Sequence, residues 1–118
     1  MSATAIDPVI FKEISALMED SLPIFIETYI ENTHKLLNEL ERAIPAEDSD
    51  NIFHNAHQLK GGSGSVGAMQ VFHIAKQMED IIKGDNGAAE MGSLFIELKS
   101  AYAAAEAELK AFLNNYGS

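Results

Sequence analysis

The residues Leu22, Ile26, Tyr29, Thr33, Leu36, Leu40 and Ile44 recur at spacings of three and four. That period is the one an α-helix needs to bring side chains to one face, and a strand's period of two excludes it. The stripe spans about six helical turns. A helix with one apolar stripe must bury it against another element, and the rest of the chain supplies only helices. Ile52, Ala56, Leu59 and Ser63 form a second stripe, and Val71, Phe72, Ala75, Met78 and Ile82 a third. Leu94, Leu98, Ala101, Ala105, Leu109 and Phe112 form a fourth. No window alternates as a strand would, and no internal repeat is present.

The boundaries are written in proline, glycine and capping residues. Asp7-Pro8 starts a short first helix in which Val9, Ile10, Ile14, Leu17 and Met18 follow a helical period and which ends near Asp20. Ser21-Leu22-Pro23 restarts the chain in the same way, and Ile44-Pro45 stops the second helix because the residue before proline disfavours helix. Asp48-Ser49-Asp50 offers caps for the third, which must end or turn between Gly64 and Ala68. Lys83-Gly84-Asp85-Asn86-Gly87 is a dense turn signal, and a last helix runs from Ala88 to Tyr116. The expected fold is all-α: an antiparallel up-down four-helix bundle with a short extra N-terminal helix at one end. Residues 1–118 are read as a single domain.

Composition removes several function classes. The chain has no cysteine, so disulfide frameworks, thiolate metal sites and cysteine nucleophiles are excluded. A reducing, cytoplasmic setting fits. The first residues carry no positive charge and no long apolar run, so no signal peptide is read there. No stretch nears the roughly 18 apolar residues of a membrane span. A net charge of -10 repels phosphate backbones and anionic lipid, so neither nucleic acid nor a membrane surface is an expected partner. Solubility alone accounts for that charge.

One stretch is out of keeping with a plain bundle: His57-Gln58-Leu59-Lys60-Gly61-Gly62-Ser63-Gly64-Ser65-Val66-Gly67. On a helical wheel the apolar sector of this helix is centred roughly 130° from His57, with Val66 near 180°. Asp50, Phe53, Lys60, Gly61 and Gly64 fall within about 60° of the histidine and form one surface strip with it. Each glycine costs about 1 kcal/mol in a helix interior relative to alanine. Two readings of the glycines stand side by side. Either the helix continues and the glycines clear room beside His57, or it ends near Gly61 and they terminate it.

Gly62 to Gly67 spells G-x-G-x-x-G, yet the residues before it form an amphipathic helix where a dinucleotide site needs a strand. A P-loop fails because Lys60 precedes the glycines. His54 and His57 diverge by about 60° on the wheel, and no Glu-x-x-His or His-Glu-x-x-His pairing supports a metal site. Ser63 and Ser65 have no signal for activation by a base. What remains is a nucleophilic histidine. Imidazole has a free nitrogen near neutral pH that can attack phosphorus. A lysine one turn away offsets the incoming negative charge, and a carboxylate on the other ring nitrogen fixes the tautomer.

The pattern His57-x-Leu59-Lys60-Gly61, followed by Gly67-Ala68, resembles the signature of histidine phosphotransfer (HPt) domains. The resemblance implies a four-helix bundle with an exposed phosphohistidine, moving phosphoryl groups between receiver-domain aspartates in a multistep two-component phosphorelay. On it, His57 is the phosphoryl site, Lys60 the phosphate-side cation, and Glu79 the following-helix residue that holds the ring. Gly61 and Gly64 give a partner close access alongside Phe53, and Gly67 forms the turn. Gly62 departs from the serine common at its place. The resemblance further implies a free-standing carrier with no enzyme activity and no cofactor of its own, Mg2+ being carried by the receiver. The expected partners are receiver domains of a hybrid sensor kinase and of response regulators, met by a monomer. The alternative is a helical adaptor that binds such partners without phosphoryl transfer.

Overall fold

The computed structural model describes residues 4–84 and 88–116. Helix α1 spans Pro8–Met18 and passes through a 3-10 turn, Glu19–Ser21, into α2, Leu22–Ala43. Helices α3 (Ser49–Val66), α4 (Met69–Lys83) and α5 (Ala88–Asn115) complete the order. The chain is an antiparallel four-helix bundle: α2 packs on α3, α3 on α4, α4 on α5, and α5 closes on α2. Among the described residues there is no strand.

The stripes read from sequence line the core. Leu22, Ile26, Tyr29, Thr33 and Leu40 are buried on α2; Ile52, Ala56, Leu59, Ser63 and Val66 on α3; Val71, Ala75 and Met78 on α4. Helix α5 buries the expected Leu94, Leu98, Ala101, Ala105 and Leu109, and adds Met91, Phe95 and Tyr102. Phe72 and Ile82 are only half-buried, while Ile74 and Glu79 lie inside.

The first helix departs most from its expected packing. Val9 and Leu17, two of its periodic apolar residues, are exposed, and α1 buries no residue fully. It rests on the outside of α2 and α3, and Phe11 sets its ring edge-on to Phe112 at 5.0 Å. A helix packed on one side only cannot cover all its apolar positions. Its start follows the sequence: the Asp7 carboxylate accepts from the N–H groups of Val9 and Ile10, with Pro8 at the first position. Ser21, by contrast, makes no capping bond. The 3-10 turn already gives it helical backbone angles, which keep its hydroxyl from reaching the next turn. Lys83 is the last residue of α4, and Asp85, Asn86 and Gly87 of the expected turn lie outside the described residues.

The glycine run is helical throughout, and α3 closes at Gly67, whose φ of 90° is left-handed. The N–H groups of Gly67 and Ala68 both donate to the Ser63 carbonyl, satisfying the end of the helix. The N-terminal segment docks on this turn: Asp7 N–H donates to the Gly67 carbonyl at 2.8 Å. Ala5 and Ile6 N–H groups donate to the Glu108 carboxylate on α5, and Ile6 is buried.

A Cβ at Gly67 would lie 3.1 Å from the Asp7 carbonyl oxygen, on a backbone that L-residues disfavour. Gly67→Ala is therefore expected to cost about 1–2 kcal/mol, from the left-handed strain alone. Urea unfolding checks this; an unchanged midpoint would contradict the account of the turn.

Candidate functional site

Helix α3 presents its buried face to the bundle, and His57 stands near its midpoint on the opposite side. The His57 side chain is 61% exposed, whereas that of Glu79, facing it from α4, is 4% exposed. The short turn at Gly67-Ala68 folds α4 back along α3 and brings Glu79, 22 residues on, against His57. His57 Nδ1–H donates to Glu79 Oε2. The second carboxylate oxygen, Oε1, accepts from Lys60 Nζ at 2.8 Å. The structure thus brings together the three residues His57, Lys60 and Glu79.

A carboxylate this deep is tolerable only when paired. Burial acts to raise the Glu79 pKa, but the hydrogen bonds and charges of Lys60 and His57 outweigh it and hold the carboxyl below its ordinary value. An ionised carboxylate only accepts, so the ring must place its proton on Nδ1. Nε2 then keeps its lone pair, and among the described residues no hydrogen bond engages it.

The other expected residues divide. A Cβ at Gly61 would meet nothing within 4 Å, so the surface beside His57 is open there. At Gly64 a Cβ would lie 3.2 Å from the Phe72 ring, so its missing side chain is used by the neighbouring helix α4. At Gly62 a Cβ would touch the Tyr29 ring at an ordinary 3.4 Å. The adjacent Ser63 Oγ is paired with Tyr29 OH at 2.7 Å in the core. Phe53 is half-buried and stacked on the His57 ring, with centroids 5.8 Å apart and planes 12° from parallel. Lys83 Nζ lies 5.3 Å from the Phe53 centroid. Lys83 was not legible as a site residue, although it stands one turn beyond Glu79 on the same face of α4.

Among the described residues the other histidines make no hydrogen bond to His57, Lys60 or Glu79. His54 pairs with Gln58, and His34 Nε2–H donates to Glu106, whose other oxygen accepts from Lys110. Among the described residues no three His, Asp or Glu side chains are grouped to hold a metal ion. Among the described residues no helix is long and apolar enough to cross a membrane.

This geometry defines a class: a helical bundle that offers one imidazole nitrogen to a partner, backed by a buried carboxylate and a lysine. A family model of the Hpt domain matches residues 25–108. The chain belongs to the Hpt domain family, and its role is histidine phosphotransfer in a phosphorelay. Members of the family are phosphoryl carriers that interact with receiver domains. The fold is similar to the crystal structure of histidine-containing phosphotransfer protein B from Pseudomonas aeruginosa PAO1, with a TM-score of 0.92 and 24% sequence identity. That similarity covers 98% of this chain and 99% of the other, so it takes in α1, which precedes the family match. No curated protein sequence matches the chain.

The Glu79 carboxyl has a lowered folded pKa, so its stabilising contribution is complete above its ordinary value of 4.5 and is lost as pH falls through the folded value. Glu106, held low against burial by Lys110 and His34, contributes with the same sign. Melting temperature is expected to fall below about pH 4.5, less steeply in Glu79→Gln than in the parent. Identical acid limbs for the two proteins would contradict the Glu79 assignment.

Proposed function

We propose that His57 is the residue that carries the phosphoryl group. Its Nε2 lone pair attacks the phosphorus of a receiver's aspartyl phosphate; the N–P bond forms as the acyl-phosphate P–O bond breaks and the aspartate leaves. Reversal onto a second receiver returns the histidine. The observation that carries this reading is the two-sided use of Glu79, one oxygen on His57 Nδ1 and the other on Lys60. The carboxylate keeps the Nδ1 proton in place during transfer and stabilises the positive ring. Lys60, one helical turn from His57, supplies positive charge to the phosphoryl oxygens.

The partners are receiver domains of a hybrid sensor kinase and of response regulators. The chain acts as a monomeric cytoplasmic carrier without catalytic activity of its own. Mg2+ enters with the receiver: the Glu79 carboxylate is already committed to Lys60 and His57, and among the described residues no cluster of His, Asp or Glu stands ready for a cation. Gly61 gives the receiver its approach. Phe53 lies in the same strip, and Gly64 borders it, its own clearance filled by Phe72.

Incubation with a phosphorylated receiver is expected to give an acid-labile, base-stable label that His57→Gln lacks entirely. That variant should keep the parent's helical circular dichroism, because the side chain is mostly exposed, while losing up to about 1.5–3 kcal/mol if its amide does not replace the hydrogen bond to Glu79. Retained label in His57→Gln would overturn the assignment. Gly61→Ala is expected to stabilise the fold by up to about 1 kcal/mol while slowing receiver transfer. A stabilised variant with unaltered transfer would remove the access role of Gly61. Lys60→Ala should slow transfer by at least about tenfold, the weight of one charge-assisted hydrogen bond; an unaltered rate would refute its role.

A further inference from the structure

The imidazole of His57 is restrained at one atom by Glu79, and one hydrogen bond leaves a ring free to rock about it. The structure supplies a second restraint on a different part of the ring. Phe53 stands one helical turn before His57 on α3, and the two rings are nearly parallel at 12° with a 5.8 Å centroid separation. This is the offset arrangement that aromatic pairs favour. Phe53 is itself held: Lys83, on the last turn of α4, sets its ammonium 5.3 Å from the Phe53 centroid. Two rungs therefore cross from α3 to α4 side by side, Phe53 to Lys83 and His57 to Glu79. The Lys83 ammonium thus adds positive charge beside the Phe53 ring and the neighbouring site.

We infer that Phe53 is a positioning residue for phosphoryl transfer, holding the His57 imidazole with Nε2 outward, and that Lys83 fixes Phe53 in that role. The inference deepens the assignment of His57 as the phosphoryl site and rests on it. It differs from a docking role for Phe53: a positioning residue affects every phosphoryl donor, whereas a docking residue affects only a protein donor. The ring's engagement by His57 and Lys83 leaves less of it for a partner, and Phe53 is only half-buried, which matches a wall of the site more than a free anchor.

The test uses two donors, phosphoramidate and a phosphorylated receiver. With phosphoramidate the donor P–N bond breaks, ammonia leaves, and the N–P bond to Nε2 forms with no docking surface involved. Phe53→Leu, which keeps apolar bulk without a ring face, is expected to lower the rate from both donors in parallel, by roughly two- to tenfold. Phe53→Tyr should restore both. Lys83→Met should lower both rates in the same direction and by less. In parallel, the His57 ring resonances in NMR should shift in Phe53→Leu and return in Phe53→Tyr, while circular dichroism of all variants remains that of the parent. A parent-like phosphoramidate rate in Phe53→Leu with a slowed receiver rate would overturn the inference and make Phe53 a docking residue. Unmoved His57 resonances would overturn it as well. His57→Gln separates the two levels: label persisting there refutes the His57 assignment itself, whereas normal loss of label with a parent-like Phe53→Leu refutes only the positioning role.

Discussion

The buried carboxylate of Glu79 is the constraint on which the site depends. Removed from water and left alone, it would be too costly to keep ionised. Two partners reached from the neighbouring helix make it tolerable, Lys60 on one oxygen and His57 on the other. The same contacts that satisfy the charge also set how α3 and α4 face each other and which ring nitrogen bears the proton. Stability and chemistry therefore draw on one interaction. Its position is secured from below by the turn at Gly67, where a left-handed glycine lets α4 double back and receives the N-terminal segment.

Helix α3 works as a divided rod. Ile52, Ala56, Leu59, Ser63 and Val66 hold it to the bundle, and the Ser63–Tyr29 hydrogen bond pins it against α2. The outward side carries His57 and the open surface at Gly61. Charge is divided as well. Residues 49–83 hold Lys60, Lys76 and Lys83 against Asp50, Glu79 and Asp80, a balanced segment in a chain of net charge -10. The excess negative charge lies on the other elements, so an anionic phosphoryl donor meets least repulsion on the side of α3 and α4.

Much of this was legible because helical periodicity reports directly on burial. The α2 to α5 stripes and the outward direction of His57 followed from spacing alone. Lys60 and Gly61 followed from their places one turn further on. The link to Glu79 came only through resemblance, since no local pattern tells which residue of the next helix will face a given one. Other features stayed hidden for physical reasons. Val9 and Leu17 share the helical period of their neighbours, yet they are exposed because α1 packs on the bundle from one side only. Gly64 reads as clearance for a partner, and only the packing of α4 reveals that Phe72 uses the space. Whether the helix survived its glycines was undecidable from propensity, because the answer lay in tertiary contacts at Ser63 and Val66.

The central claim is that Glu79 keeps a proton on His57 Nδ1 and so leaves Nε2 as the nucleophile. Nitrogen-15 and phosphorus-31 NMR of the phosphorylated protein tests it most directly, by correlating the phosphorus with the ring nitrogen that carries it. The account predicts a single phosphohistidine at residue 57, bonded through Nε2, with Nδ1 still protonated. Phosphorus on Nδ1 of His57, or on any other histidine, would contradict it.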